Sequence, residues 1–170
     1  MIELDAGAAQ AGDIVISRMS EHDLLEVVSI EENSGLSRWG WAAYYAELQG
    51  ANRNLMLVAR PKRSGIGDAQ QVIGYIVARV TADELHINNV AVTELYRRKG
   101  VGCALLSRVL EEGKRSGAAT AFLEVRSGNS AAQALYEKVA FKAIATRTNY
   151  YSEPREDAVV MKLDLRQILA

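Results

Sequence analysis

In the stretch Glu84–Val92 (ELHINNVAV), the apolar residues change sides partway along, and a basic glycine loop follows directly. Leu85 and Ile87 share one parity, Val90 and Val92 the other. Strand side chains alternate faces, so a single buried face survives this switch only if one extra residue is inserted. A β-bulge at Asn88-Asn89 does that; a strand buried on both faces is the other reading. A bulge leaves backbone groups unpaired and able to meet a ligand.

The loop itself reads Arg97-Arg98-Lys99-Gly100-Val101-Gly102, and the helix-forming run Leu105, Leu106, Val109, Leu110 follows it. A strand, glycines and a helix start together form a general anion site, with outward N–H groups and a favourable dipole. A P-loop would need Gly-x-x-x-x-Gly-Lys-Ser/Thr, which is not present, and this disfavours a nucleotide-binding switch. A dinucleotide fingerprint would need a third glycine at position 105, where the chain has leucine. The remaining pattern, Arg/Gln-x-x-Gly-x-Gly/Ala, is that of a coenzyme A pyrophosphate loop, and Arg97, Gly100 and Gly102 satisfy it. Glycines let the backbone approach the phosphates, and Arg97, Arg98 and Lys99 add matching charge.

The rest of the chain reads as β-α-α-β-β-β-α-β-α-β-β, a mixed α/β layer with about seven strands, largely antiparallel, and about four helices. Ile14–Ser17 forms the first strand, and Ser20 starts a helix carrying Leu24, Leu25 and Val28. Trp41, Tyr44, Tyr45 and Leu48 recur at helical spacing, and Gly50 ends that helix. Leu55–Ala59 and Val72–Val80 form a hairpin across the polar connection 61–71. Thr120–Val125 is a strand, and Ser130–Gln133 matches a capping box that starts a helix with Ala131, Leu135 and Val139 inward. Phe141–Thr148 and Asp157–Leu163 are strands joined by the loop 152–156.

A chain of 170 residues is long enough for one real core, expected over residues 13–166, with 1–12 as a loose acidic tail. A net charge of −1 disfavours general nucleic-acid binding. No apolar run approaches the ~18 residues of a membrane span. The single cysteine, Cys103, permits no internal disulfide and fits a cytoplasmic setting. His22 and His86 are isolated, so no metal site is expected. There is no Gly-x-Ser-x-Gly nucleophile elbow, and Cys103 reads as a packing residue, which favours direct attack on an acyl donor over an acyl-enzyme.

Three stretches carry a family resemblance. Asn89–Val92 runs on through Tyr96–Leu106; Leu123–Ala132 continues to Ala134–Glu137 and Phe141; Arg147–Tyr151 is followed by Arg155–Ala158 and Met161. Together they resemble the GNAT acetyltransferases, and within these the RimI-like branch that acetylates the N-terminal alanine of a small-subunit ribosomal protein. The amino-terminal third departs from that branch: Ser37-Arg38-Trp39-Gly40-Trp41 keeps a tryptophan but lacks the usual Pro-Trp-Ser. The departure bears on acceptor choice.

The resemblance implies acetyl-CoA as cosubstrate, bound by the backbone of Val90, Ala91 and Val92, by the loop Arg97–Gly102 with Cys103, and by Asn129. It implies Glu124 as general base, acting directly or through water, and Tyr136 as general acid. Trp39, Trp41, Tyr150 and Tyr151 would shape the acceptor groove. Each has a plainer role open to it: an ion pair with Arg126 or another cation for Glu124, a core aromatic for Tyr136, a turn or cap for Asn129, and ordinary packing for the tryptophans and tyrosines. A small-molecule amine acetyltransferase and a non-catalytic acyl-CoA-binding regulator are the competing functions.

Overall fold

A computed structural model describes residues 13–50, 54–62 and 71–168. The expected tail 1–12 and most of the connection 61–71 lie outside the described residues.

The seven-stranded sheet contains β1 (Ile14–Arg18), β2 (Asn54–Pro61), β3 (Gly74–Thr81), β4 (Glu84–Val92), β5 (Thr120–Arg126), β6 (Lys142–Ser152) and β7 (Arg155–Asp164), in the order β1-β2-β3-β4-β5-β7-β6. Only the β4–β5 pair is parallel. The helices are α1 (Leu24–Glu32), α2 (Gly40–Leu48), α3 (Val101–Arg115) and α4 (Ser130–Lys138). The expected element order and mixed, mostly antiparallel sheet are those observed.

Two cores lie on opposite faces of the sheet. On one face, α3 buries Leu105, Leu106, Val109 and Leu110 against Leu57, Ile76 and Leu85. Each such side chain contributes about 1.5–3 kcal/mol by leaving water. Tyr136 of α4 and Val139 at its C-terminal end join this core beside Leu123 and Val125. On the other face, Leu24, Val27 and Ile30 of α1 and Tyr44 of α2 pack on Met56, Val58, Tyr75, Val77 and Ala91. Ser20 caps a 3₁₀ turn, Glu21–Asp23, that leads into α1, its N–H and hydroxyl both donating to the Asp23 carboxylate (2.8 and 3.0 Å), and Leu25, expected on the apolar face, is exposed.

The bulge in β4 is present. Val77 pairs with Asn89 and Ala78 with Ile87, so Asn88 is the extra residue. Leu85 and Ile87 before it, and Val90 and Val92 after it, therefore all reach the α3-side core. Parallel pairing of β4 with β5 covers only Glu84–Ile87 against Thr120–Leu123 and stops at the bulge. Beyond that point β4 stays paired with β3 and β5 with β7, which opens a gap between the two parallel strands.

Three expectations are corrected. The α4 cap is Asn129, whose side-chain oxygen accepts from the Ala132 N–H (3.0 Å), not Ser130. Gln133 closes no capping box; its amide donates to the Arg126 and Ser127 carbonyls. Shifting the start by one residue turns Ala132, Leu135, Tyr136 and Val139 inward and leaves Ala131 exposed. The last hairpin is also longer, with strands reaching Ser152 and Arg155 and only Glu153-Pro154 between them. Its polar residues resembled a loop because β6 is an edge strand exposed along 142–150.

Candidate active site at the β4–β5 gap

The loop after β4 closes the gap at one end. Gly100 caps α3 with φ +81°, a left-handed conformation open to glycine at little cost. The first helical N–H to find a carbonyl is that of Ala104, on Gly100 (2.9 Å). The amides of Val101, Gly102 and Cys103 are thus the unsatisfied donors of the helix start. Arg98 and Lys99 are exposed beside them, and Lys99 Nζ lies over the Tyr96 ring at 5.3 Å. Arg97 turns back to donate from Nε to the Val92 carbonyl (3.0 Å), so it also clamps the loop to its strand. Amides, dipole and cations fit a pyrophosphate.

Gly102 has a further reason to lack a side chain: a Cβ there would stand 3.1 Å from Leu135 Cδ2. That glycine sets the approach of α3 to α4. Cys103 is half-buried, and burial pushes its thiol up, away from the thiolate that a nucleophile needs.

Val90, Ala91 and Val92 form the β4 wall of the gap, their outer backbone edge unpaired with β5. The opposite wall begins at Glu124. Because Leu123 and Val125 face the α3-side core, Glu124 projects from the other face, the one covered by α1 and α2. It pairs with Arg147 across the sheet (Nη1 to Oε1, 3.3 Å) rather than with Arg126. Arg126 is engaged elsewhere: it donates to the Glu153 and Pro154 carbonyls (3.0 and 3.1 Å), pairs with Glu156 (3.2 Å), and lies 4.1 Å over the Tyr151 ring. Glu156 also accepts from the Gly128 N–H, and this bond holds its carboxyl below the usual range.

Tyr136 approaches from the α3 side. It is 8% exposed and packs edge-on against Phe141 at 6.1 Å. Burial, with Tyr151 nearby, pushes its hydroxyl up to about 12, so it stays protonated at neutral pH. Among the described residues its hydroxyl makes no hydrogen bond to protein, which leaves it for a ligand. Tyr151 couples electrostatically to both Tyr136 and Glu124. Asn149, at φ +52°, breaks the β6–β7 register and donates its N–H to Asp157 (2.8 Å). That break turns Tyr150 and Tyr151 into an edge-to-face pair 5.1 Å apart. Tyr150 is 48% exposed, with Arg147 over its ring at 5.4 Å.

Asn129 caps α4, leaving its amide nitrogen without a partner among the described residues. Trp39 is half-buried, 5.5 Å from the Tyr44 ring, whereas Trp41 is 45% exposed and stacks on Tyr45 at 4.8 Å. Both belong to the α2 start, on the Glu124 side of the sheet. Glu124 thus sits on β5 just beyond the point where its pairing with β4 ends, and Tyr151 lies near enough to interact with both Glu124 and Tyr136. The reading of the sequence missed Arg147 as the partner of Glu124, and the Arg126–Glu156 pair. Neither has a local signal, because both depend on strand register. Among the described residues no cluster of His, Cys, Asp and Glu could hold a metal ion, and no helix is long and apolar enough to cross a membrane.

Comparison with known proteins agrees with this geometry. Residues 24–141 match the Acetyltransferase (GNAT) family. The chain is 32% identical to the [ribosomal protein bS18]-alanine N-acetyltransferase of Escherichia coli K12, over 88% of this chain and 97% of that one. The crystal structure of the ribosomal-protein-S18-alanine N-acetyltransferase from Escherichia coli superposes with a TM-score of 0.76 at 31% identity, covering 92% of this chain and 96% of that one. Ard1 from Thermoplasma volcanium gives 0.79 at 27% identity, covering 93% and 99%. The chain belongs to the GNAT family and is an acetyl-CoA-dependent N-acetyltransferase.

Proposed function

We propose that the enzyme acetylates the N-terminal α-amine of a protein, its acceptor being a small-subunit ribosomal protein that begins with alanine, in the cytoplasm. The observation that carries this reading is the 32% identity, over nearly the whole length, to an enzyme named for that reaction. The site is compatible with it. Glu124 faces the α1–α2 side, where a peptide end can approach, and Tyr136 stands on the α3 side with the coenzyme A loop.

In this mechanism the pyrophosphate rests on the amides of Val101, Gly102 and Cys103, with Arg97, Arg98 and Lys99 around it. The backbone of Val90, Ala91 and Val92 pairs with the pantetheine arm as an added strand and polarises the thioester carbonyl. Asn129 offers its free amide to the cosubstrate. Glu124 takes a proton from the α-ammonium, directly or through a water. An unperturbed α-amine has a pKa of roughly 7.7–8.0, so a carboxylate suffices as relay. The nitrogen attacks the carbonyl carbon, the C–S bond breaks as Tyr136 donates a hydrogen bond to the departing sulfur, and the second amine proton passes to solvent or to that thiolate, leaving the amide and the free thiol. A thiol is more acidic than this phenol (roughly 8.5 in a free cysteine), so Tyr136 acts chiefly as a hydrogen-bond donor while charge grows on sulfur. Trp39, Trp41, Tyr150 and Tyr151 line the approach of the peptide.

The test is mass spectrometry of peptides incubated with acetyl-CoA and the enzyme. A peptide beginning with alanine should gain one acetyl group at its α-amine, and an α-blocked peptide carrying lysine should gain none. Acetylation of lysine alone, or of small amines alone, overturns the assignment.

A further inference from the structure

A chain of polar groups is buried between α1, α2 and the sheet, and it runs from the backbone of Trp39 to Asn89, next to residues assigned above. Glu31 lies at the end of α1 and is 1% exposed. Its carboxylate accepts from the Trp39 N–H (2.9 Å), the Gly40 N–H (3.0 Å) and the Tyr44 hydroxyl (2.7 Å). The Tyr44 oxygen in turn receives the Asn89 side-chain amide (2.9 Å) and lies 2.8 Å from the Tyr75 hydroxyl. The direction of that last bond follows by elimination. Tyr44 has one proton and gives it to a carboxylate, so Tyr75 must be the donor. Every bond in the chain therefore points toward Glu31.

A buried carboxylate is costly unless its acceptor sites are filled, and here three donors fill them. What the chain connects is more telling than its stability. One end holds the backbone of Trp39 and Gly40, the first turn of α2. The other end is Asn89, 7% exposed, beside the bulge residue Asn88 and immediately before Val90. The α1–α2 pair covers the same sheet face from which Glu124 projects.

We infer that Glu31 is a positioning residue: through Tyr44 and Asn89 it locks the start of α2 onto the β4 wall of the gap and so sets the acceptor side of the active site. The inference rests on the reading of Glu124 as the acceptor-side residue. Glu31 touches neither substrate. Its loss should therefore act on acceptor binding and leave acetyl-CoA binding alone.

The experiment is steady-state kinetics of Glu31→Gln with the acceptor that the wild-type enzyme uses. The glutamine NH2 must replace one of the two oxygens, so it opposes either the Gly40 N–H or the Trp39 N–H together with the Tyr44 hydroxyl, which loosens the turn. The expected result is an acceptor KM raised about tenfold, kcat changed less than about threefold, and an acetyl-CoA Kd unchanged by calorimetry. The chain's two tryptophans, Trp39 and Trp41, flank the freed turn. Their emission should shift to the red and become more open to acrylamide quenching, with the far-ultraviolet circular dichroism unchanged. A variant with a lower Tm but wild-type acceptor KM and fluorescence would show a purely structural Glu31 and overturn the inference.

If Glu31→Gln does not fold, Asn89→Ala breaks the same chain at its far end, and a wild-type acceptor KM in that variant overturns it equally. Where both fold, the double variant should raise KM no further than the larger single effect, since the two act in one chain. Full additivity would mean that they act separately and sinks the coupling. If the wild-type enzyme acetylates no peptide amino terminus, the proposed function fails at that step, and the same KM comparison is made with whichever lysine peptide or small amine the enzyme does acetylate.

Discussion

At the residue scale the site divides into groups that handle protons and groups that hold them in place. Glu124→Gln keeps the shape of the side chain and removes the proposed base. Turnover should fall by about 10²–10⁴, while the acetyl-CoA Kd, measured by calorimetry, stays at the wild-type value. Tyr136→Phe should lower kcat by about tenfold or more with little change in acceptor KM. Because its hydroxyl is pushed up to about 12, the wild-type pH–rate profile should show no decline from Tyr136 below about pH 11. The roles proposed for Glu124 and Tyr136 come from family resemblance, and the residues themselves also allow an ion pair and a core aromatic. The partner of Glu124 was not legible at all. Glu124 lies opposite Val160 and Arg147 opposite Ala158, so the pair forms diagonally across β7, and nothing local fixes that register.

At the element scale the most informative feature was one extra residue. The bulge could be read from parity because both halves of β4 bury valines, leucine or isoleucine on one face, and only an insertion reconciles them. Deleting Asn88 should turn Val90 and Val92 toward α1 and α2 and let β4 continue its pairing with β5. The expected outcome is a loss of acetyl-CoA affinity of more than about tenfold by calorimetry, together with a lower Tm. Retention of wild-type affinity would show that the gap does not depend on the bulge. The start of α4 was harder to read, since Asn129 and Ser130 are both good caps and only the structure shows which oxygen meets an amide. The edge strand β6 was harder still. Core burial normally marks a strand, and β6 has almost none.

At the scale of the whole molecule, the buried tyrosines tie stability to pH. Tyr44 and Tyr75 are raised above the usual tyrosine range, chiefly by burial, as is Tyr136. The folded state therefore holds these protons more tightly than the unfolded chain. The sign is fixed: the contribution is fully present below about pH 10, the unfolded value, and is lost as pH rises beyond it. Tyr136 alone accounts for about 2–3 kcal/mol by pH 12. Denaturant midpoints should hold level from neutral pH to about 9.5 and then fall steeply, and a Tyr136→Phe variant should fall less.

The gap between β4 and β5 passes from one face of the sheet to the other, with Glu124 on one side and Tyr136 on the other. In the proposed mechanism the two substrates therefore have separate doorways and meet in the middle of the wall between them. Neither blocks the exit of the other, so the acetylated peptide and the spent thiol can depart in either order. An inhibitor seated at one doorway competes with only one substrate. A molecule made by joining both substrates would have to thread itself through the sheet, so it should enter slowly and, once in place, leave more slowly still.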